Sequence, residues 1–185
     1  MAGLAERCLG AARLNAATYE DVEADPSATG QAVLVVALAA IAAGIGVADQ
    51  AGVEGIVGGT IGSLIAWFVW AALITFIGTR FLPEPGTQAD LGQVVRTTGF
   101  SASPGFLQVF GIVPALGPVI GLVASLWMLA AMVVAVRQAL DYESTWRAVL
   151  VTVLGFVGYV LVFVLIAMIL GFGMGVVEAL RPGTT

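Results

Sequence analysis

The chain has 185 residues and a net charge of -5, and 59% of its residues are hydrophobic while only 10% are charged. Its mean hydropathy is +1.03, and a soluble domain, in which roughly 25% of residues are charged, could not bury so much apolar surface. The acidic balance argues against a nucleic-acid partner, and one cysteine with no histidine excludes Ser-His and Cys-His nucleophile pairs and cysteine-pair metal sites.

Uncharged stretches predict the membrane helices, because one crossing needs about 20 apolar residues. These stretches are 26–48, 55–79, 97–136 and 148–177. The third is about twice the length that one crossing needs, and the two prolines and the glycine of Val113–Pro118 break it in the middle. The sequence therefore predicts an all-α membrane protein with five transmembrane helices. The predicted spans are about 27–48, 55–79, 98–114, 118–136 and 147–177.

Arginine placement predicts the orientation of these spans, since short cytoplasmic loops retain arginine and lysine. With five crossings, six of the seven basic residues fall on one side, namely Arg7, Arg13, Arg80, Arg96, Arg137 and Arg147. Only Arg181, in the predicted external tail 180–185, falls on the other side. We therefore expect a multi-pass protein of the cell membrane, with its amino terminus in the cytoplasm and its carboxyl terminus outside.

Residues 1–26 precede the first span and predict short helices on the cytoplasmic side. Apolar residues in 4–16 share one helical face, which is typical of a weakly amphipathic helix that lies on the membrane. Thr18 with Asp21 resembles a capping box and predicts the start of a short acidic helix. Thr87 with Asp90 repeats this pattern and predicts the start of a further interfacial helix.

Three segments, in their order and spacing, resemble one known family. They are Thr18–Pro26, Gly99–Gly105 and Ala135–Leu140. The family is the Yip family, whose eukaryotic members are five-span proteins of the early secretory pathway that interact with Rab GTPases. The resemblance covers roughly residues 12–170. It implies a membrane protein and little about activity. Because the sequence has no histidine and no phosphate-binding glycine motif, we expect a non-enzymatic protein without a cofactor. Because the chain lacks the long cytoplasmic region of eukaryotic members, it resembles the short prokaryotic form, and a Rab-type GTPase partner is not expected.

An acidic run before the first span is the first candidate site. The predicted partner-docking residues are Tyr19, Glu20, Asp21, Glu23 and Asp25, together with Arg96, Arg137 and Arg147 on the same side of the membrane. The alternative is a solvated helix that forms weak ion pairs with these arginines, each contributing roughly 0–1 kcal/mol. The docking hypothesis makes the protein an adaptor, scaffold or membrane organiser that contacts other membrane proteins or a second copy of itself.

The start of the third predicted span is the second candidate site. Ser101, Ser103, Pro104 and Gln108 predict either a helix kink or a broken helix that lines a small-substrate cavity. The cavity would suit a passive channel, a carrier or an accessory subunit of a transporter. Its polar pathway would draw on Thr75, Ser101, Ser103, Gln108, Ser125 and Thr152. Because the interiors of the predicted spans hold no charged residue, proton-driven transport is not expected.

Overall fold

A computed structural model describes residues 3–113 and 115–180, and for residues 49–51 and 170–180 it describes the backbone alone. Every regular element within these residues is a helix. The α-helices are α1 (Leu4–Ala12), α2 (Ala16–Ala24), α3 (Ala28–Gly46), α4 (Ala48–Arg80), α5 (Leu91–Phe100), α6 (Gly117–Ala139) and α7 (Thr145–Leu180). A 3-10 helix, Ser103–Ile112, lies between α5 and α6.

Among the described residues, four helices are long and apolar enough to cross a membrane, as expected of a multi-pass membrane protein. They cover Ala28–Gly46, Gly52–Arg80, Gly117–Ala139 and Thr145–Ile169. The second of them begins at Gly52 because the backbone of α4 is interrupted there by a φ of 61°, which glycine adopts without the steric penalty of a Cβ. The four helices correspond to the first, second, fourth and fifth predicted spans.

The third predicted span, 98–114, does not form one α-helix. α5 ends at Phe100, and after two turn residues the chain continues as the 3-10 helix, with Pro114 outside the described residues. The hydroxyl of Ser101 donates to the carbonyl oxygen of Thr98 at 2.6 Å, and the hydroxyl of Ser103 donates to that of Phe100 at 2.7 Å. These hydroxyls bond carbonyl groups that a broken helix leaves free. The fifth crossing therefore stays a prediction.

The segment 99–112 nevertheless runs beside α3 in the same direction. A Cβ added at Gly99 would lie 2.7 Å from the Cβ of Ala32. Near the other end of α3, a Cβ added at Gly111 would lie 3.2 Å from the Cα of Gly46. From Ala32 to Gly46 an α-helix rises about 21 Å, so the segment follows α3 along most of its length.

The buried core has two parts. One joins α1 and α2 to α3, α5 and α6, and its fully buried members are Ala11, Tyr19, Val22, Ala28, Ala32, Val35, Phe100 and Ala135. The other joins α4, α5, α6 and α7, and includes Ala71, Ile74, Val94, Val136, Leu140, Ala148 and Val151. Many of these residues are alanines, which let helices approach closely in membranes. The amino-terminal helices are therefore part of the bundle.

α1 is held against the bundle at its carboxyl-terminal end. The indole Nε1 of Trp127 in α6 donates to the carbonyl oxygen of Ala12 at 2.6 Å, and the hydroxyl of Tyr19 in α2 donates to that of Ala11 at 3.1 Å. These two bonds satisfy carbonyl groups that have no partner within α1. The helix predicted in 4–16 is present, while its position at the membrane interface stays a prediction.

Two helices on this side of the bundle begin at N-caps other than those predicted. α2 begins at Ala16, where the side chain of Asn15 accepts from the backbone N–H of Ala17 at 3.1 Å, so the predicted start at Thr18 was wrong. Asparagine is among the strongest N-caps, which explains why the helix begins earlier. α5 begins at Leu91, where Asp90 is the N-cap and forms a complete capping box with Gln93, so the predicted start at Thr87 was wrong as well. The Thr87 hydroxyl instead accepts from the backbone N–H of Glu84 at 2.9 Å.

Candidate functional site

Arg7 of α1 holds the acidic run in place. Its Nε donates to Asp21 at 2.9 Å, its Nη2 donates to Asp25 at 2.8 Å, and its Nη1 donates to the side chain of Gln31 at 3.3 Å. The Arg7 side chain is 2% exposed, whereas those of Asp21 and Asp25 are 46% and 18% exposed. A guanidinium offers five donors in a rigid fork. One residue therefore joins α1 to α2 and to the start of α3.

Arg96 binds α2 through the backbone. Its Nε donates at 3.1 Å to the carbonyl oxygens of both Val22 and Glu23, and its Nη2 also donates to that of Glu23. Carbonyl groups in the last turn of a helix lack partners within the helix, and a cation is favoured near them. Arg96 thus fixes α5 to the carboxyl end of the acidic helix.

The other two arginines of the predicted surface bind loops. Arg137 donates to the carbonyl oxygens of Tyr142 and Glu143, both at 3.1 Å. Arg147 forms an ion pair of 3.3 Å with Glu84, and it donates to the carbonyl oxygen of Pro83 at 2.9 Å. Among the described residues, the ion pairs of the acidic run therefore go to Arg7, and not to the three arginines expected from the sequence.

Tyr19 and Glu20 are adjacent in the chain, but the first is buried and the second is exposed. Tyr19 is fully buried in the core, so it supports the helix hairpin α1–α2 and cannot itself contact a partner. Glu20 is exposed, and its carboxylate accepts from Nε2 of Gln138 at 2.9 Å. Of the predicted docking residues, Glu20 and Asp21 are thus the ones that present exposed carboxylates.

Glu23 lies among other carboxylates at this end of the bundle. Its side chain accepts from Nε2 of Gln93 at 2.9 Å. Burial is the main cause that raises the pKa of Glu23, the nearby Asp141, Glu20 and Asp90 add to it, Arg96 opposes them, and the resulting pKa is about 7. The raised pKa thus reflects first the burial of the carboxyl group and second the negative charges near it. We name the surface formed by Glu20, Asp21, Glu23, Asp90 and Asp141 the acidic face.

Asp25 has the opposite electrostatic environment. Its carboxylate accepts from the backbone N–H of Ser27 at 2.9 Å and from the Ser27 hydroxyl at 2.6 Å. These bonds from Ser27, together with that from Arg7, lower the pKa of Asp25 to about 2. Asp25 is therefore charged at every physiological pH and is engaged within the chain.

Several of these residues could not be found from the sequence. Arg7 lies 14 residues before Asp21 and 18 before Asp25, a separation that no local helix pattern connects. The sequence shows that 18–26 holds four acidic residues and no basic one. This pattern indicates that another segment supplies a cation, but it does not indicate which residue. Asp90 and Asp141 come near Glu23 only through the packing of α2 against α5 and α6.

The residues of the second candidate site lie on two sides of the 3-10 helix. Ser101 and Gln108 line a cavity of about 510 Å³, and Ser125 lines it from α6. Ser103 and Pro104 line a different pocket, which is bounded by α1. The four predicted residues therefore do not share one cavity.

The remaining polar residues of the predicted pathway are used within their own helices. Thr75 donates to the carbonyl oxygen of Ala71 at 2.8 Å, and Thr152 donates to that of Ala148 at 2.7 Å. In the described part of the chain, the predicted polar residues do not form one continuous row of polar side chains. The arrangement does not favour the channel or carrier interpretation.

The chain matches the family model of the Yip1 domain over residues 14–172. No curated protein and no solved structure gives a significant match to the chain. The matched range begins just before α2 and ends within α7, so it contains the acidic run and the segment 99–112. Proteins of this family are generally non-enzymatic. The chain belongs to the Yip1 domain family of membrane proteins.

Proposed function

We propose that this protein is a non-enzymatic membrane adaptor whose acidic face binds a basic surface of another membrane protein. The observation that carries the proposal is the locked hairpin: buried Arg7 fixes α1 and α2 to the bundle while Glu20 stays exposed. A surface that is already ordered loses less conformational freedom when it binds a partner. The acidic face is ordered in this way before any partner arrives.

The chemistry of the face indicates the charge of the partner. Glu20, Asp21, Asp90 and Asp141 are exposed, and Glu23 is half-buried among them. Complementary charge speeds association and disfavours partners of the wrong sign. A partner with arginine or lysine side chains facing Glu20 and Glu23 would offset the carboxylate repulsion that, after burial, contributes to the raised pKa of Glu23.

We further propose that the chain crosses the cell membrane five times. The acidic face then lies in the cytoplasm and the carboxyl terminus lies outside. The arginine distribution supports this orientation. The direction of 99–112 along α3 supports the fifth crossing, and at about 2.0 Å per residue the ten residues of the 3-10 helix extend about 20 Å. α6 then returns the chain to the side of the acidic face.

Crosslinking in intact cells, followed by purification in mild detergent, tests the docking proposal. The double variant Glu20→Lys with Glu23→Gln keeps the bonds of Arg7, so it changes the acidic face without releasing α1. We expect it to lower the yield of the crosslinked partner at least tenfold, while Glu6→Lys, an exposed carboxylate on α1 outside the face, keeps the yield. Equal yields from the double variant and the wild type would refute the proposal, as would equal losses from both variants. Recovery of a second copy of this chain as the partner would point to self-association.

Reporter fusions test the number of crossings. Alkaline phosphatase, which is active only outside the cytoplasm, should be active when joined after Ala115 and inactive when joined after Asp141. If 99–112 does not cross, Ala115 stays on the inner side and the two results are reversed.

A further inference from the structure

α1 lies deeper along the bundle than a helix on the membrane surface would. The indole of Trp127 donates to the carbonyl oxygen of Ala12, and Trp127 lies ten positions before Arg137, the first charged residue at the end of α6. Ten residues of an α-helix span about 15 Å, which is about half of the 30 Å hydrocarbon core of a bilayer. The carboxyl end of α1 is therefore held beside the middle of α6.

The contacts of α1 with α3 give the same depth. Cys8 and Leu9 line one pocket with Leu38 of α3 and Trp127 of α6. Leu38 lies ten positions after Ala28, where α3 begins, so it too is about 15 Å from the end of its helix. Leu38 and Trp127 are nevertheless 42% and 38% exposed. Since both belong to membrane-spanning helices, the surface around α1 is covered by lipid.

The edges of α1 differ in polarity. Glu6 and Arg13 are seven positions apart and share one edge, and both are exposed. Ala5, Leu9 and Ala12 share another edge and line the pocket against α3 and α6, and Leu9 is 51% exposed. A helix of this kind lies along the membrane with its apolar side about 5–10 Å below the headgroup boundary. The apolar edge of α1 thus contacts acyl chains, while its polar edge faces the headgroups.

The ion pairs of Arg7 make this depth tolerable for the helix. A charged side chain within the hydrocarbon region is unfavourable unless it is paired. Arg7 is 2% exposed and is paired with Asp21 and with Asp25, which precedes α3. A long arginine side chain can reach such partners while its backbone stays lower. The buried charge of α1 is therefore neutralised from the side of the acidic face.

α1 displaces lipid from one leaflet only. It lies at the end of the bundle where Glu20 of α2 meets Gln138 of α6. Gly78, near the end of α4, packs against Leu140 at that same end, so the start of α4 lies in the other leaflet. There all but two of residues 52–63 are exposed, and no short α-helix covers them in the described part of the chain. The nine residues of α1 add an area about 14 Å long and about 10 Å wide to one leaflet.

We propose that α1 is a wedge in the cytoplasmic leaflet, through which the protein prefers membrane whose cytoplasmic leaflet is convex. In a convex leaflet the headgroups are spread apart, so a helix inserts between them at a lower cost in free energy. The binding of amphipathic helices depends on curvature for this reason. The partner is the lipid surface itself. The inference uses the proposed orientation to name the leaflet, and it does not depend on the docking partner of the acidic face.

Membrane tubes pulled from giant phosphatidylcholine vesicles test the proposal. The fluorescent full chain is reconstituted, and accessibility of an amino-terminal tag identifies vesicles in which the amino terminus faces outward or inward. We expect about twofold more protein per lipid in the tube than in the vesicle when the amino terminus faces outward, and depletion when it faces inward. Equal densities in tube and vesicle would overturn the proposal, as would enrichment in both orientations. Because the lipid is pure and the side is defined by the amino terminus, failure of the docking proposal would not change this result.

Substitutions in α1 test whether this helix is the wedge. Leu9→Asp places a charge on the edge that contacts acyl chains and should abolish the enrichment, and Leu9→Asn replaces it if Leu9→Asp does not fold. Glu6→Lys, on the polar edge of the same helix, should keep the enrichment. Enrichment that persists in the folded Leu9 variant would overturn the assignment to α1.

A measurement of depth tests the insertion separately. A spin label on Leu9→Cys, in the Cys8→Ala background, should collide more often with oxygen, which dissolves in the bilayer, than with a water-soluble nickel chelate. A label on Arg13→Cys in the same background should show a higher ratio of nickel to oxygen collisions than the label on Leu9→Cys. A label on Leu9→Cys that collides mainly with the nickel chelate would overturn the proposal, because α1 would then lie outside the leaflet.

Discussion

Arg7 and Asp25 form a 2.8 Å ion pair although 18 positions separate them in the chain. The pair joins the first helix to the residue that comes just before the first membrane helix. It makes the amino-terminal segment, which the sequence predicted to lie on the membrane, a fixed part of the bundle. The acidic face therefore has a defined shape.

Replacing Arg7 with methionine should release α1. The change leaves Asp21 and Asp25 without their cation, and we expect a loss of about 1–3 kcal/mol in the free energy of unfolding, below the cost of a fully buried pair because both carboxylates are partly exposed. Hydrogen exchange should rise in α1 and α2 and stay unchanged in α6. The control is Arg13→Met, an exposed arginine just after α1, for which we expect no change. Slow exchange in α1 of the Arg7 variant would contradict the assignment.

The raised pKa of Glu23 predicts a pH dependence of stability. Its pKa in the folded protein is about 7, above the ordinary value of 4.5, so the folded state holds the proton more tightly than the unfolded state. Its contribution to stability is therefore lost as the pH rises from about 4.5 through about 7. Glu23→Gln should match the wild type at pH 5 and unfold at a higher temperature at pH 8. Parallel unfolding temperatures of the two proteins from pH 5 to pH 8 would show that Glu23 does not titrate in this range.

The contact of Gly46 with the 3-10 helix predicts opposite effects for two similar substitutions in α3. A Cβ at Gly46 would collide with the carbonyl oxygen of Gln108, whereas one at Gly30 meets nothing within 4 Å. Gly46→Ala should therefore lower the free energy of unfolding by about 1–3 kcal/mol. Gly30→Ala should raise it by about 0.5–1 kcal/mol, because alanine is the better helix former. Thermal unfolding in one detergent measures both, and a stabilising Gly46→Ala would contradict the close approach.

Tyr142 should matter more to stability than the ion pair beside it. Its buried hydroxyl lies 3.0 Å from the carbonyl oxygen of Gly78 and 2.8 Å from that of Leu82, so Tyr142→Phe should cost about 1 kcal/mol or slightly more. The Arg147–Glu84 pair is 3.3 Å long, and the Arg147 side chain is 44% exposed, so Arg147→Met should cost less than about 1 kcal/mol. Chemical or thermal unfolding of the two variants should rank them in this order, and the reverse order would be inconsistent with the structure.

Local signals in the sequence predicted four of the membrane helices, because apolar length is a property of a short stretch of chain. The start of α5 was placed at Thr87, whereas the capping box that begins this helix is formed by Asp90 and Gln93. For 98–114 the sequence predicted a kink or break near Ser101 and Pro104, but not the turn and 3-10 helix that form there. There the serine hydroxyls and Pro104 favour a turn and a 3-10 helix over a continuous α-helix. A count of apolar residues does not register this competition.

Contacts between distant segments account for what the sequence left open. Trp127 bonds to Ala12 over 115 positions, and Gln93 bonds to Glu23 over 70. Neither pair has a local pattern, and each depends on how the short helices pack against the bundle. The acidic run itself was visible as a cluster of like charges, but its cation and its added members Asp90 and Asp141 were not.

Site-specific photocrosslinking in living cells tests the central claim, that the acidic face binds a partner in the cytoplasm. A photoreactive residue placed at Glu20 should give one adduct of defined mass, and the adduct should disappear when Glu23→Gln and Asp141→Asn are added. The same residue at exposed Glu54, on the opposite side in the proposed topology, should not give that adduct. The account would be contradicted if Glu20 gave no adduct, or if Glu54 gave the same one.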